Sequence, residues 1–163
     1  MLRPALLLIM LTSTACDRTA QREQGAGDRL EAAAQSAGLI ADPGGPLVGA
    51  WGRETDRMCV VPGKNGAARV GALVDYGEGQ GCAASGTLTR SGEKVSVRFG
   101  DCRIDARFDG ERLTFPPKLP SACDRLCTGR ASLAALSVER LGASASEAAT
   151  LRAPDGSLLC GVS

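Results

Sequence analysis

The sequence contains no histidine among its 163 residues. Imidazole is the usual general base of Ser-His-Asp and Cys-His catalytic arrangements, and it is common among the ligands of catalytic zinc. These sites are therefore excluded for this chain. A serine–lysine dyad would depend on one of three lysines, Lys64, Lys94 and Lys118, which lie in apparent turns or beside prolines.

Aromatic residues are scarce, with one Trp, one Tyr and three Phe, all between positions 51 and 115. Large aromatic side chains contribute most to core burial. The core is therefore expected to be lean and concentrated in this interval, with Trp51 as a plug at one end of a barrel. Covalent cross-links would be a useful supplement to such a core.

No basic run is present, and acidic and basic residues nearly balance, with 19 Lys and Arg against 18 Asp and Glu. A nucleic-acid partner is not expected, and electrostatic attraction to anionic lipid should be weak. No cofactor is predicted. Paired carboxylates could support a hydrolase, with Asp75 and Glu78 or Asp101 and Asp105 as the pairs. Exposed strand ends commonly carry such residues, so no catalytic residue is assigned.

The single marked apolar run is short and lies near the N-terminus, from Ala5 to Leu11. It follows Arg3 and precedes small residues, which is the pattern of a secretory signal peptide over residues 1–15. Seven residues of helix span only about 10 Å, too little to cross a bilayer. No transmembrane helix is predicted in the mature chain.

Ser13-Thr14-Ala15-Cys16 resembles the lipobox of bacterial lipoproteins, in which the cysteine is acylated and becomes the mature N-terminus. The family usually has Leu where this chain has Ser13. The resemblance implies a lipid on Cys16, a membrane anchor, and a location in the bacterial envelope facing the periplasm or the exterior. Ordinary signal cleavage at the same bond, which would leave Cys16 unmodified, is the alternative.

The cysteine count favours the lipid. Seven cysteines are present, and an odd number leaves an unpaired thiol in an oxidising compartment. Assigning Cys16 to a lipid leaves an even set that can form disulfides: Cys59, Cys82, Cys102, Cys123, Cys127 and Cys160. The expected pairs are Cys82–Cys102, Cys127–Cys160 and Cys59–Cys123. A metal site at Cys123-x-x-x-Cys127 is the weaker alternative, because no Cys-x-x-Cys pair exists, and no metal is predicted.

Residues 16–46 are predicted to form the lipidated N-terminus and a tether. Asp28 and Glu31 match a capping box, so a short helix is expected at about 29–37, before Gly38. The run Asp42-Pro43-Gly44-Gly45-Pro46 marks the boundary of a globular domain at 47–163.

Alternating apolar residues between positions 58 and 141 predict at least six strands, four of them within 82–115. Asp109-Gly110 and Ser91-Gly92 supply hairpin turns. The fold class is mainly β: a small, disulfide-braced antiparallel meander closing into a barrel or sandwich. One or two helical turns are expected at 121–127, and a short C-terminal helix after Ser144.

Tyr76-Gly-Glu-Gly-Gln-Gly81 is the most unusual local run. It matches no phosphate-binding motif. The simplest interpretation is a wide, flexible loop between two strands. The functional interpretation is a binding loop, because recognition often uses loops on a rigid scaffold. Its residues are Gly77, Glu78, Gly79, Gln80 and Gly81.

Gly49-x-Trp51, followed by Cys59 in a small exported β domain, resembles the small-barrel inhibitors that Gram-negative bacteria keep in the envelope against proteases or lysozyme. The match covers about ten residues, and no inhibitory residue is carried over. It implies a non-catalytic module that binds an envelope protein or cell-wall ligand. A structural or assembly accessory of an envelope complex is the alternative, and a carboxylate-based hydrolase is the third hypothesis.

Overall fold

The computed structural model describes residues 17–37 and 39–161. The predicted leader and Cys16 lie outside the described residues. The chain divides into two compact units, residues 1–40 and 41–163, and each is described by itself. Within the described residues, no helix is both long and apolar enough to cross a membrane.

The first unit contains helix α1, Asp17–Ser36. The predicted helix at 29–37 ends close to the right place but begins 12 residues too late. Asp28, the expected cap, lies inside the helix. The cause is that Gln, Arg and Glu upstream of it have high helix propensity, which outweighs a cost of about 1 kcal/mol for each interior glycine, Gly25 and Gly27.

The second unit is an eight-stranded antiparallel barrel. Each strand pairs with the next along the chain, and β8 pairs with β1 to close the sheet. The strands are β1 Gly49–Arg53, β2 Asp56–Val61, β3 Ala68–Asp75, β4 Gly81–Ser91, β5 Lys94–Phe99, β6 Cys102–Phe108, β7 Arg112–Thr114 and β8 Ser137–Gly142. The predicted antiparallel meander is confirmed, and it closes as a barrel.

Buried and exposed residues alternate strictly along β5 and β6, the most regular strands of the sheet. Their inward side chains fill the barrel, as expected for eight strands. Trp51 and Phe108 are fully buried and meet edge to face, with ring centroids 5.7 Å apart. The indole Nε1 of Trp51 donates to the carbonyl of Leu47 at 3.0 Å. The prediction of Trp51 as a core residue is confirmed.

Strand β1 itself was not predicted, because glycines interrupt it. A Cβ at Gly49 would lie 2.1 Å from the carbonyl oxygen of Gly142, so only glycine allows β1 and β8 this close. The pairing of β1 with β8 also shifts register between Ala50 and Trp51. Glycine within a strand often marks such an irregularity.

Because each strand runs antiparallel to the next, successive turns lie alternately at the two ends of the barrel. The crossover end carries the turns β1–β2, β3–β4 and β5–β6 together with the long connection of residues 115–136 between β7 and β8. That connection includes a 3-10 helix, Ser121–Leu126, which agrees with the helical turns expected there. The strap end carries the other three turns and the strap, defined as residues 41–48.

Two inward arginines hold the strap. The guanidinium of Arg140 lies 4.2 Å from the ring centroid of Trp51 and donates to the carbonyls of Val48, at 3.1 Å, and Pro46. The guanidinium of Arg90 lies 5.0 Å from the ring centroid of Phe108 and donates to the carbonyls of Pro43 and Gly45. Partial burial lowers the pKa of Arg140. The strap is therefore attached to the barrel by charged donors.

The six cysteines form three disulfides, Cys59–Cys160, Cys82–Cys127 and Cys102–Cys123. All three expected pairs were wrong. Cys82 and Cys102 do not lie on neighbouring strands, because β5 lies between β4 and β6. Each instead bonds to the connection that covers the crossover end, so two disulfides fasten that connection to the barrel.

The C-terminal segment, residues 143–161, packs on the outer face of the sheet. Helix α2, Ala145–Ala149, begins at the predicted cap, where the hydroxyl of Ser144 accepts from the backbone N–H of Glu147 at 3.3 Å. A second apolar cluster forms beneath the segment from Cys59, Val61, Ala148, Leu159 and Cys160. A Cβ at Gly71 would lie 2.3 Å from the carbonyl oxygen of Leu159, so glycine permits this close packing.

Candidate binding cleft at the crossover end

The β3–β4 loop is compact and internally hydrogen-bonded, not the wide loop expected from its glycines. The N–H of Tyr76 donates to the carbonyl of Gln80, and the N–H of Gln80 donates to that of Gly77, both at 2.9 Å. The N–H of Gly77 donates to Asp75 Oδ1 at 2.8 Å. The glycines serve a tight turn.

Three consecutive residues of this loop have positive φ: Gly77 at 78°, Glu78 at 52° and Gly79 at 74°. Glycine adopts this conformation without cost, but a side chain with a Cβ costs roughly 1–2 kcal/mol there. Glu78 is therefore held in a strained conformation, exposed at the tip of the loop. Strain of this kind is common where a side chain must be presented to a ligand.

The long connection fastens the loop from the other side. The hydroxyl of Thr128 donates to the carbonyl of Gly79 at 2.8 Å, and its N–H donates to the carbonyl of Gly81 at 2.8 Å. The N–H of Arg130 donates to Gln80 Oε1 at 3.2 Å. Cys82–Cys127 lies directly beside these contacts. The loop is thus a preorganised element of the barrel end.

A cleft of about 600 Å³ lies beside the loop. Its apolar wall comes from Val74, Ala83, Leu126, Ala153 and Pro154. Three carboxylates also line it, those of Asp75, Glu78 and Asp155, and no lysine or arginine is among its described lining residues. The cleft combines apolar surface with negative charge.

The surroundings of Asp155 stabilise its charged form. Its Oδ1 accepts from the hydroxyl of Ser157 at 2.7 Å and from the N–H of Ser157 at 2.9 Å. These two hydrogen bonds lower the pKa of Asp155, because they stabilise the charged form. The side chain therefore contributes a fixed negative charge to the cleft.

The structure brings together one of the two predicted carboxylate pairs. Asp75 and Glu78 both line the cleft, where Asp75 also caps the turn. Asp101 and Asp105 take different partners: Asp101 pairs with Arg125 at 3.4 Å, and Asp105 accepts from Ser96 at 3.2 Å. The second pair is therefore not a joint site.

Ser91 and Lys94 have the Ser-x-x-Lys spacing found in some hydrolases. They pair directly across the β4–β5 turn, and both are exposed. Nothing shelters this pair from water, so the spacing is that of an ordinary hairpin.

The cysteines of Cys123-x-x-x-Cys127 separate into different disulfides, with Cys102 and with Cys82. Within residues 17–37 and 39–161, no cluster of three or more His, Cys, Asp or Glu side chains is arranged to hold a metal ion. The chemistry of the cleft rests on carboxylates and apolar surface.

Sequence reasoning identified the loop but not the residues that hold it. Thr128, Arg130 and Asp155 lie 47 or more residues from their neighbours in the loop. The one usable signal was Cys127, since its correct pairing with Cys82 would have placed Thr128 beside the loop. The chain matches no protein-family model, no curated protein and no solved structure, so the function is inferred from the geometry.

Proposed function

We propose that the chain is an exported bacterial lipoprotein whose barrel is a non-catalytic binding module, anchored to the membrane through a lipid on Cys16. The secretory-type leader and the lipobox-like run support export and lipidation. The other six cysteines form disulfides, which is compatible with an oxidising compartment. The barrel would then face the periplasm or the exterior on its tether.

The partner binds at the crossover-end cleft and is a protein that presents a lysine or arginine. The observation that carries this proposal is a hydrogen-bonded loop holding Glu78 in a strained conformation beside an apolar wall with two further carboxylates. A basic side chain suits both features, because its methylenes cover apolar surface while its charged head pairs with carboxylates. Tyr76, 59% exposed at the edge of the loop, adds an aromatic contact of the kind enriched at interfaces.

This mode of binding fits an inhibitor-like module that occupies a surface of an envelope hydrolase. A preorganised loop lowers the entropic cost of association, because little of it must be ordered on binding. The complex should weaken at high salt, since its charged contacts lie at the surface.

The test is capture of partners from solubilised envelopes on the immobilised full-length protein. Glu78→Gln keeps the size of the side chain and removes its charge, and should lower recovery of a captured protein at least fivefold. Glu111→Gln, an exposed change at the strap end, is the matched control and should leave recovery unchanged. Equal recovery by wild type and Glu78→Gln would overturn the assignment of the cleft.

The identity of the captured protein separates the hypotheses. A hydrolase whose activity falls on binding supports an inhibitor, whereas a stoichiometric complex with envelope assembly machinery supports the accessory role. The intact mass of the native protein tests the anchor, because a lipidated chain carries the added mass of two or three acyl chains on Cys16. A bare N-terminal thiol would contradict lipidation.

A further inference from the structure

A second pocket, of about 530 Å³, lies on the outer face of the barrel toward the strap end. The β2–β3 turn and the C-terminal segment form its walls over strands β3 and β4. Its lining consists of Pro62, Gly63, Lys64, Arg69, Val70, Ser85, Gly86, Leu159, Cys160 and Gly161. This pocket shares no residue with the crossover-end cleft.

The charge of this pocket is opposite to that of the cleft. Lys64 and Arg69 line it, and no Asp or Glu is among its described lining residues. The Nη1 atom of Arg69 is buried and has no hydrogen-bond partner among the described residues. A buried guanidinium nitrogen without an acceptor is costly, because it has lost water and gained nothing in return. Because Nη1 exposes no surface, an oxyanion in the pocket would become its partner only after a rotation of the partly exposed Arg69 side chain toward the pocket.

The pocket is held in shape by the fold. Asn65 and Gly66, at φ values of 55° and 78°, form the β2–β3 turn, which is closed by a hydrogen bond from the N–H of Ala67 to the carbonyl of Lys64 at 3.2 Å. This turn positions Lys64. On the opposite wall, Cys59–Cys160 fixes the C-terminal segment, and the hydroxyl of Ser85 donates to the carbonyl of Leu159 at 2.6 Å.

We infer that this pocket binds the free carboxylate of a short peptide. The planar guanidinium of Arg69 can form paired hydrogen bonds with a carboxylate, and Lys64 adds a point charge at the rim. Pro62, exposed beside the two cations, supplies apolar surface for the side chain next to the carboxylate. The volume lies in the range of about 300–1,000 Å³ that is typical of small-ligand sites. The inference does not depend on the proposed function of the cleft.

The probe is the dipeptide N-acetyl-Ala-Ala with a free carboxylate, titrated into the oxidised full-length protein and followed by amide NMR. The backbone amides of Ser85, Gly86 and Gly161 should shift in a saturable manner. The same dipeptide with an amidated C-terminus should bind at least tenfold more weakly. Absence of saturable shifts at millimolar peptide, or equal affinity for the acid and the amide, would overturn the inference.

Arg69→Met should weaken binding of the acid at least tenfold, and Lys64→Met two- to fivefold. Arg103→Met is the control, because Arg103 is an exposed cation of β6 that does not line the pocket, and it should change nothing. Lys64 is exposed in a turn, so its variant keeps the test valid even if Arg69→Met folds poorly. Unchanged affinity in both pocket variants would contradict the assignment.

Two further titrations distinguish the source of the oxyanion. Inorganic phosphate should compete at least tenfold more weakly than the peptide acid, and tighter binding of phosphate would overturn the choice of a carboxylate. Val162 and Ser163 lie outside the described residues, so a chain shortened to Gly161 and amidated there, which adds no new carboxylate beside the pocket, is titrated as well. Its affinity should match that of the full chain within threefold, and a tenfold gain would contradict an external ligand.

Discussion

The two ends of the barrel are closed by different chemistry. At the crossover end, the disulfides Cys82–Cys127 and Cys102–Cys123 attach the long connection covalently to β4 and β6. At the strap end, Arg90 and Arg140 donate to strap carbonyls while stacking on Phe108 and Trp51. The covalently closed end carries the candidate cleft, so the surface proposed to bind a protein lies where two disulfides hold the connection.

The two closures should respond differently to their surroundings. A disulfide stabilises mainly by restricting the unfolded chain, and it is lost on reduction. The arginine contacts depend on geometry in the folded state and do not respond to redox conditions. Reduction should therefore loosen the cleft and leave the strap attached.

Removal of disulfides should produce the largest loss of stability. The cysteines of Cys59–Cys160 are separated by 101 residues, and those of Cys82–Cys127 by 45. Loop-closure entropy predicts upper limits of about 4.7 and about 4.0 kcal/mol for these two bridges. We expect the double variants Cys59→Ala with Cys160→Ala and Cys82→Ala with Cys127→Ala to follow this order in urea unfolding.

The same two variants separate stability from binding. Cys82 lines the cleft and Cys59 does not. Loss of Cys82–Cys127 should therefore weaken partner capture more than loss of Cys59–Cys160, which frees only the segment carrying Ala153, Pro154 and Asp155, when both variants are compared below their unfolding temperatures. Equal capture by both variants would show that the disulfide beside the cleft does not shape it.

Loss of an arginine at the strap end should have an intermediate effect. Arg140→Met keeps the apolar stem but removes hydrogen bonds to two carbonyls and the contact with the indole ring. Charged hydrogen bonds contribute about 1.5–3 kcal/mol each and cation–π contacts about 0.5–2 kcal/mol. Solvent screens these contacts at the partly exposed Arg140, so we expect a smaller loss, of about 2–4 kcal/mol. Urea unfolding measures it, with Arg103→Met as the exposed control.

The strap and the crossover disulfide should act independently. Combining Arg140→Met with loss of Cys82–Cys127 should give additive changes in the free energy of unfolding within about 0.5 kcal/mol, as is usual for distant sites. A larger deviation would mean that the two closures are coupled through the barrel.

The smallest effect is expected at the β6–β7 turn of the strap end. Asp109 Oδ1 accepts from the N–H of Arg112 at 2.8 Å and of Glu111 at 3.1 Å, which lowers the pKa of Asp109. Asp109→Ala should cost about 1 kcal/mol at neutral pH. Because the folded pKa is depressed, this contribution is present above the ordinary value of 3.8 and is lost as the pH falls through the lower folded value.

Unfolding curves of wild type and Asp109→Ala should therefore move closer together in acid, where the neutral carboxyl keeps only an uncharged acceptor. A difference that persisted unchanged at low pH would show that the turn depends on packing and not on the carboxylate. Asp109→Asn, which keeps an acceptor oxygen without the charge, should fall between the two.

Strand positions were predictable from the sequence where alternation was strict. In β5 and β6 every second residue is buried, so pattern and structure coincide. Strand β1 was missed because Gly49 and Gly52 carry no side chain to reveal an alternation. The predicted first residue of helix α1 was wrong, because a capping-box pattern at Asp28 does not indicate whether the preceding residues already form a helix.

The sequence did not reveal which residues, distant along the chain, lie close together in the fold. Arg90 and Arg140 occupy inward positions of the barrel, where strand alternation predicts apolar residues. Their contacts with aromatic rings and strap carbonyls account for arginine at these positions, and those contacts are visible only in the structure. The candidate loop was recognisable by its glycines. The neighbours that complete the cleft were not, because disulfide pairing depends on strand order around the closed sheet.

Hydrogen–deuterium exchange at the β3–β4 loop tests the central claim most directly. In the oxidised protein the amides of Tyr76 and Gln80, both hydrogen-bonded within the loop, should be protected. Loss of Cys82–Cys127 should raise their exchange rates at least tenfold and leave the amide of Gly45, bonded to Asp42 in the strap, unaffected. Rapid exchange at Tyr76 and Gln80 in the oxidised protein would contradict a preorganised binding loop.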